Sequence, residues 1–424
     1  MSLPMIISMG VNSLYNIVDS YFVAKIGDDA MTALSLVYPI QNLITSIAVG
    51  FGVGINAMAA FYLGAKREEN AYMAATQGLL FNIIHGLLLT IICIFIMPDF
   101  IGMFSKDSSV IDKALVYSNI AFLFSPVITA GISFEKIFQS VGNMRLTCFC
   151  MITGFITNII LDPLMIFGIG PFPKMGMSGA AWATGIGQCV TLVFYILTMK
   201  KGLGSLKISL KYIKPDWNII RRMYGIGVPA TLNMALPSLL ISVLNGILVT
   251  FSESYVLVLG VYYKLQTFIY LMANGLVQGI RPIISYNNGA GEKKRVHEIY
   301  RTSLIISAII MLTGTAISWL MPKTLFGLFT RSSDIISKGE TALHIISLGF
   351  VLSAISVTAS GALEGLGKGM ASLWISLLRY VILIIPFAFI LSRIFDANGV
   401  WLAFAVTELL AAMFSLYIYR KSEP

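Results

Sequence analysis

Twelve apolar stretches, each long enough to cross a bilayer, occupy most of this 424-residue chain. They lie near 3–25, 32–62, 72–97, 114–136, 146–169, 177–199, 223–250, 255–286, 302–321, 341–363, 370–392 and 399–419. A bilayer helix needs roughly 20 such residues. In hydrocarbon every backbone polar group must find its partner within the protein, so each stretch is expected to be a helix. With 57% hydrophobic and 12% charged residues, the chain has too few charges to cover a water-soluble surface of this size. The expected fold class is an all-α integral membrane protein. A cytosolic enzyme, a secreted disulfide scaffold and a nucleic-acid-binding protein are excluded.

The net charge of +9 is explained by where the charges fall. If the chain starts in the cytosol, eighteen of the 29 Lys and Arg lie on that side, among them Lys66, Arg67, Lys136, Lys200–Arg222 and Lys293–Arg295. Eight lie on the other side, and Lys264, Arg281 and Arg379 fall within spans. This follows the positive-inside rule, with both termini cytoplasmic. The four cysteines lie in or beside apolar spans without C-x-x-C spacing, which fits buried free thiols. The N-terminus has neither the basic flank nor the cleavage site of a secretory signal.

The chain repeats itself. At an offset of 225, Pro4 matches Pro229, Gln41 matches Gln266, and Gly64-Ala65 matches Gly289-Ala290. Gln139 and Gly142 match Glu364 and Gly367, while Met97-Pro98 matches Met321-Pro322 at 224. A loop insertion around Pro171–Lys174 then reduces the offset, so that Gly179 and Gln188 match Gly399 and Glu408 at 220. Such a period means two copies of one unit. Six spans per copy is an even number, so both copies run the same way across the membrane. The expectation is two six-helix lobes related by a pseudo-two-fold axis along the membrane normal. The lobes are expected at 1–199 and 223–424, joined by a basic cytoplasmic linker at 200–222. The first-copy counterpart of Asp216–Gly225 would lie upstream of Met1.

No enzyme signature is assembled, so no catalytic residue is assigned. Gly365-Leu366-Gly367-Lys368-Gly369 lacks the glycine spacing and the Ser or Thr of a phosphate loop, and reads as a tight turn. His85, in mid-span, could relay protons, but a hydrogen bond between helices is the simpler reading. Gly50-x-x-x-Gly54 fits close helix packing.

Ionisable groups inside spans are costly and are functional candidates by default. The acids well inside are Asp19, Asp162 and Glu408. Asn12, Asn16 and Asp19 share one helix face at i, i+4 and i+7, as do Asn158 and Asp162 at i and i+4. Pro163 then frees a backbone carbonyl one turn earlier. At about 1.5 Å per residue, Asp19, Asp162 and Thr184 fall near one depth in the outer half of the first lobe. Their counterparts in the second copy are Leu244, Phe387 and Phe404, and those of Asn12, Asn16 and Asn158 are Pro237, Ile241 and Leu383. Polar groups serving only the shared fold should tend to recur in both copies. Their absence from the second favours a functional site in the first.

Asn12-Ser13-Leu14-Tyr15-Asn16-Ile17-Val18-Asp19, Asn158-Ile159-Ile160-Leu161-Asp162-Pro163 and Asn287-Asn288-Gly289-Ala290 resemble motifs of multidrug and toxic compound extrusion (MATE) transporters. The likeness covers nearly the whole chain. It implies antiport of drugs or metabolites against Na⁺ or H⁺, with Asp19, Asn158, Asp162 and Thr184 as the cation site and Tyr117 nearby. One branch of that family uses an acid in span seven, where this chain reads Pro229–Ser238 without one. That favours the branch related to the DNA-damage-inducible transporters.

In the second lobe, a Glu408–Arg379 pair between the last two spans would cancel two expensive charges, a structural reading. Lys264, near mid-membrane, has no evident partner and is a substrate-contact candidate with Asn12, Asn16 and Tyr117. The function expected is export of organic, cationic or amphipathic compounds by a monomer in a bacterial-type inner membrane. No cofactor is expected beyond the coupling ion. The alternative is a flippase for a lipid-linked saccharide, which would need several cations for the pyrophosphate; Lys264, Arg281 and Arg379 are the candidates.

Overall fold

The computed structural model describes residues 2–202 and 206–423; residues 1, 203–205 and 424, three of them in the expected linker, lie outside the described residues. The first half holds helices α1 (Ser2–Ala24), α2 (Asp28–Gly64), α3 (Glu68–Phe104), α4 (Ser108–Leu123), α5 (Ser125–Ser140), α6 (Met144–Phe167) and α7 (Met177–Lys200). The second holds α8 (Trp217–Leu248), α9 (Glu253–Gly289), α10 (Lys293–Leu320), α11 (Pro322–Gly327), α12 (Ser333–Ser347), α13 (Phe350–Gly365), α14 (Gly369–Leu377) and α15 (Ile384–Ser422). Among the described residues there is no strand.

Eight helical segments are long and apolar enough to cross a membrane, and ten if α4–α5 and α12–α13 each form one bent span. These two bends, of 46° and 55°, fall at matching places in the repeat. Gly369–Ser422 runs for 54 residues, about 80 Å at the helical rise and too long for a single crossing. It breaks at Phe395 and Asp396, the latter with φ 52°. Just beyond, Gly399 lies so near the Leu391 carbonyl that a Cβ would stand 2.1 Å from its oxygen. Two arms here, together with the 23-residue α1, complete the twelve transmembrane helices. Several helices extend past their apolar stretches, α3 reaching Phe104 where hydropathy alone ends at 97.

The described residues divide into two compact units, one closing at Val228 and the other opening at Pro229. Within the first, Val23, Val37, Met97, Phe122 and Ile166 form a shared apolar core. Helices α6 and α7 approach closely at Gly154 and Gly187; a Cβ on Gly154 would overlap the Thr191 hydroxyl. Residues 206–228, on sequence a solvated linker and the opening of the last lobe, fold with this unit. The Gln77 amide donates to the carbonyls of Tyr212 (3.1 Å) and Lys214 (2.8 Å), and its oxygen accepts from the Asp216 amide (3.1 Å). Ile219, Ile220 and Met223 are buried, and Met223 presses its carbonyl against Gly54. His85 shares a hydrogen bond with the Tyr224 hydroxyl at 2.7 Å, consistent with the helix-bridging reading.

Lys136, counted on sequence as a loop-side charge, is instead buried inside α5. It pairs with Glu135 at 2.8 Å and donates to Gln139 at 3.2 Å. In the second unit the core gathers Leu244, Tyr262, Phe326, Phe350 and Trp401.

Candidate cation site

Five helices of the first unit deliver one polar cluster: α1 brings Tyr15 and Asp19, α2 Gln41, α4 Tyr117, α6 Asn158 and Asp162, and α7 Thr184. The one-turn spacing on α6 stacks Asn158 below Asp162, and the Asn158 amide donates to the Asp162 carboxylate at 3.2 Å. The same amide donates to the Thr184 hydroxyl at 3.3 Å, joining α6 to α7. Gly187, one turn beyond Thr184, permits this, because a side chain there would meet the backbone of α6. The Tyr15 and Tyr117 hydroxyls also reach Thr184. Gln41 supports Tyr117 through a 3.3 Å hydrogen bond, and Tyr15 stacks on Phe155 with centroids 5.2 Å apart.

Asp162 is fully buried and Asp19 is 7% exposed, and their carboxyl groups lie within hydrogen-bond reach of each other. Two buried carboxylates that close repel each other when both are ionised, and a shared proton or a cation relieves that repulsion. Three buried oxygens receive no hydrogen bond: Oδ1 of Asp19, Oδ1 of Asn158 and Oδ2 of Asp162. An unmet buried acceptor costs about 1–3 kcal/mol. Three in one cluster form an electron-rich basin of hard oxygens, the chemistry that a small hard cation or a proton requires. Among the described residues no group of three or more His, Cys, Asp or Glu gathers.

Asn12 and Asn16 do not join the cluster. Both are exposed, and the Asn16 amide is used by the Asn12 carbonyl at 2.8 Å. Gln41 and Tyr15 were not singled out from sequence; the recurrence of Gln41 as Gln266 was the available signal for the first. At the corresponding place in the second unit, Leu244 and Phe404 are packed into the hydrocarbon core with Phe387 against it.

The other in-span charges of the second unit are accounted for within it. Arg379 donates through Nε to Glu408 at 2.7 Å, as the pairing argument expected, and Nη2 donates to the same oxygen. A π-helical turn at Leu378–Leu383 carries Arg379, and the Tyr380 and Tyr270 hydroxyls complete its shell at 3.1 and 3.4 Å. Arg281 pairs with Glu364 at 2.6 Å. Lys264 is exposed, its ammonium 5.7 Å above the centre of the Phe329 ring. It is partnered by an aromatic face, where the sequence left it alone.

The family model described as MatE matches the chain twice, over residues 4–164 and 229–390. The two matches begin 225 residues apart, at Pro4 and Pro229, which is the period of the internal repeat. The chain belongs to the MatE family. Among its relatives, Multidrug export protein MepA of Staphylococcus saprophyticus is 25% identical over 423 residues, spanning 99% of this chain and 92% of the relative. The protein of the same name from Staphylococcus aureus is 26% identical over the same shares. A solved structure described as the outward-facing conformation of a multidrug resistance MATE family transporter matches with a TM-score of 0.93. It is 24% identical and covers 99% of this chain and 94% of that one. The two-lobe, twelve-helix MATE fold is thus the fold of this chain.

Proposed function

We propose that this MatE protein is a secondary antiporter that exports organic, cationic or amphipathic compounds in exchange for Na⁺ or H⁺. It would work as a monomer in a bacterial-type inner membrane, with both termini in the cytoplasm. The observation that carries the coupling half is the basin of three unmet oxygens around the neighbouring carboxyl groups of Asp19 and Asp162 in the first unit. The export half rests on the relatives, which are named multidrug export proteins.

Empty and fully ionised, Asp19 and Asp162 would repel each other. A Na⁺ held by Asp19, Asn158, Asp162 and Thr184, or a proton on one carboxyl, relieves that repulsion. The neutral oxygens of Asn158 and Thr184 tilt the choice towards Na⁺. Loading draws α1, α6 and α7 together and unloading lets them part, so the two states differ in their grip on substrate. Ion and substrate are then negatively coupled, and reciprocally so.

Substrate affinity measured in detergent, first against Na⁺ at fixed pH and then against pH without Na⁺, tests this. We expect affinity to fall as one of the two ions rises. Affinity indifferent to both, in protein competent for transport in vesicles, would overturn the mechanism. The flippase alternative is not favoured, because two of its three candidate cations, Arg281 and Arg379, are neutralised by Glu364 and Glu408.

A further inference from the structure

A cavity of about 440 Å³ opens in the first unit where the end of α2, the start of α3 and the first turns of α8 meet. Its wall includes Tyr62, Arg67, Asn70, Asp216, Arg221 and Arg222. The single carboxylate is already engaged: Asp216 Oδ1 caps α8, accepting from the amides of Asn218 (2.9 Å) and Ile219 (3.3 Å). The three guanidinium groups form no ion pair among the described residues, although Glu68 and Glu69 follow Arg67 directly. Glu69 pairs with Lys211 and Glu68 accepts from Tyr72.

Arg67, Arg221 and Arg222 line one hollow from two directions, the start of α3 and the first turns of α8. Here the Gln77 clamp on 212–216, the Met223 contact with Gly54 and the buried faces of Ile219 and Ile220 fix the positions of Arg221 and Arg222. The backbone that carries Arg221 and Arg222 is thus held, while the three arginine side chains are exposed and free to close on a ligand. Planar guanidinium forks match the oxygens of a phosphate group. The same segment bears exposed apolar side chains, with Trp217 70% and Leu210 84% exposed. Those suit the boundary between headgroups and acyl chains.

We propose that this cavity binds a phosphate group, presented by the headgroup of an acidic phospholipid in the leaflet that faces the cytoplasm. Only the choice of leaflet rests on the orientation proposed above; recognition itself does not. The ligand would sit against the first turns of α8, the helix that runs on past Val228 into the second unit. Bound lipid would thereby brace the helix through which the two copies are joined.

The test is native mass spectrometry of the full chain in detergent with short-chain phosphatidylglycerol, short-chain phosphatidylcholine and inorganic phosphate. Phosphatidylglycerol should bind saturably and phosphatidylcholine should not. The Arg67→Gln/Arg221→Gln/Arg222→Gln variant should lose at least about tenfold in affinity, a modest share of three charge-assisted contacts. Lys293→Gln/Lys294→Gln/Arg295→Gln, which removes equal charge from the first turn of α10, should leave affinity unchanged. Equal loss in both variants, no loss in the first, or equal binding of the two lipids would overturn the proposal. Inorganic phosphate binding as tightly as phosphatidylglycerol, and lost in the first variant, would overturn the lipid as the source. If the triple variant does not fold, Arg222→Gln alone carries the comparison at a smaller factor. Failure here leaves the antiport reading standing, since that rests on Asp19 and Asp162.

Discussion

At the scale of single residues, Asp19 and Asp162 differ in surroundings from Glu408. Asp19 and Asp162 carry unmet oxygens, whereas Glu408 is gripped by Arg379. Asp162→Asn and Asp19→Asn should abolish the ion dependence of substrate binding while leaving expression near normal, since the amide keeps the shape. Glu408→Gln should instead lower the unfolding temperature, because one partner taken from a buried pair costs about 3–5 kcal/mol. Binding titrations and thermal melts on the same preparations check both. Ion coupling lost in a well-folded Glu408→Gln protein, but kept in Asp162→Asn, would place the coupling in the wrong unit. Much of the cluster was legible because Asn158 and Asp162 lie one turn apart and depth alone put Asp19 and Thr184 beside them. Asn12 and Asn16 show the limit of that reasoning. Periodicity gives the angle of a side chain about its own axis but not which neighbour covers that angle, and near Asn12 none does.

At the scale of helices, the two copies treat one contact differently. In the first, α6 and α7 close on each other at Gly154 and Gly187, which seats Asn158 against Thr184. In the second, the position 225 residues on is Arg379, lifted on a π-helical turn to reach Glu408. A π turn inserts an extra residue into the helical ladder and often marks a functional position. Gly154→Val should push α6 from α7, pull Thr184 away from Asn158, and weaken ion-dependent binding with a loss of stability of about 1–3 kcal/mol. A melt unchanged from wild type would show that the helices do not need this contact. The glycine was visible in the sequence, but its partner was not. Likewise Glu135, Lys136 and Glu364 escaped notice as buried charges, and Arg281, placed within a span, was left without its partner. The first three sit at the ends of their apolar stretches, where hydropathy reads a boundary, and the Arg281–Glu364 pair joins two helices whose proximity no local pattern encodes.

At the scale of the whole chain, orientation is the reading most directly open to experiment. Single cysteines at Lys66, Ser209 and Lys294, in a background without Cys93, Cys148, Cys150 and Cys189, should react with an impermeant reagent only from the cytoplasm. Those at Lys106 and Ser332 should react only from outside, and labelling of Ser209 from outside would reverse the topology. The number of spans and the two-copy plan were legible because hydrophobic length and a 225-residue period survive divergence. The fate of 206–228 was not, because a basic, proline-containing stretch reads as solvated while its apolar residues decide where it docks. The repeat assigns Asp216–Gly225 to the head of the second copy, yet the folded chain counts those residues with the first. The seam left by gene duplication and the seam in the folded molecule are therefore two different places. A recombinant that exchanged halves with a relative at the genetic seam would import an arm fitted to another protein's groove. One joined at Val228 would keep the arm with the groove it grew up beside.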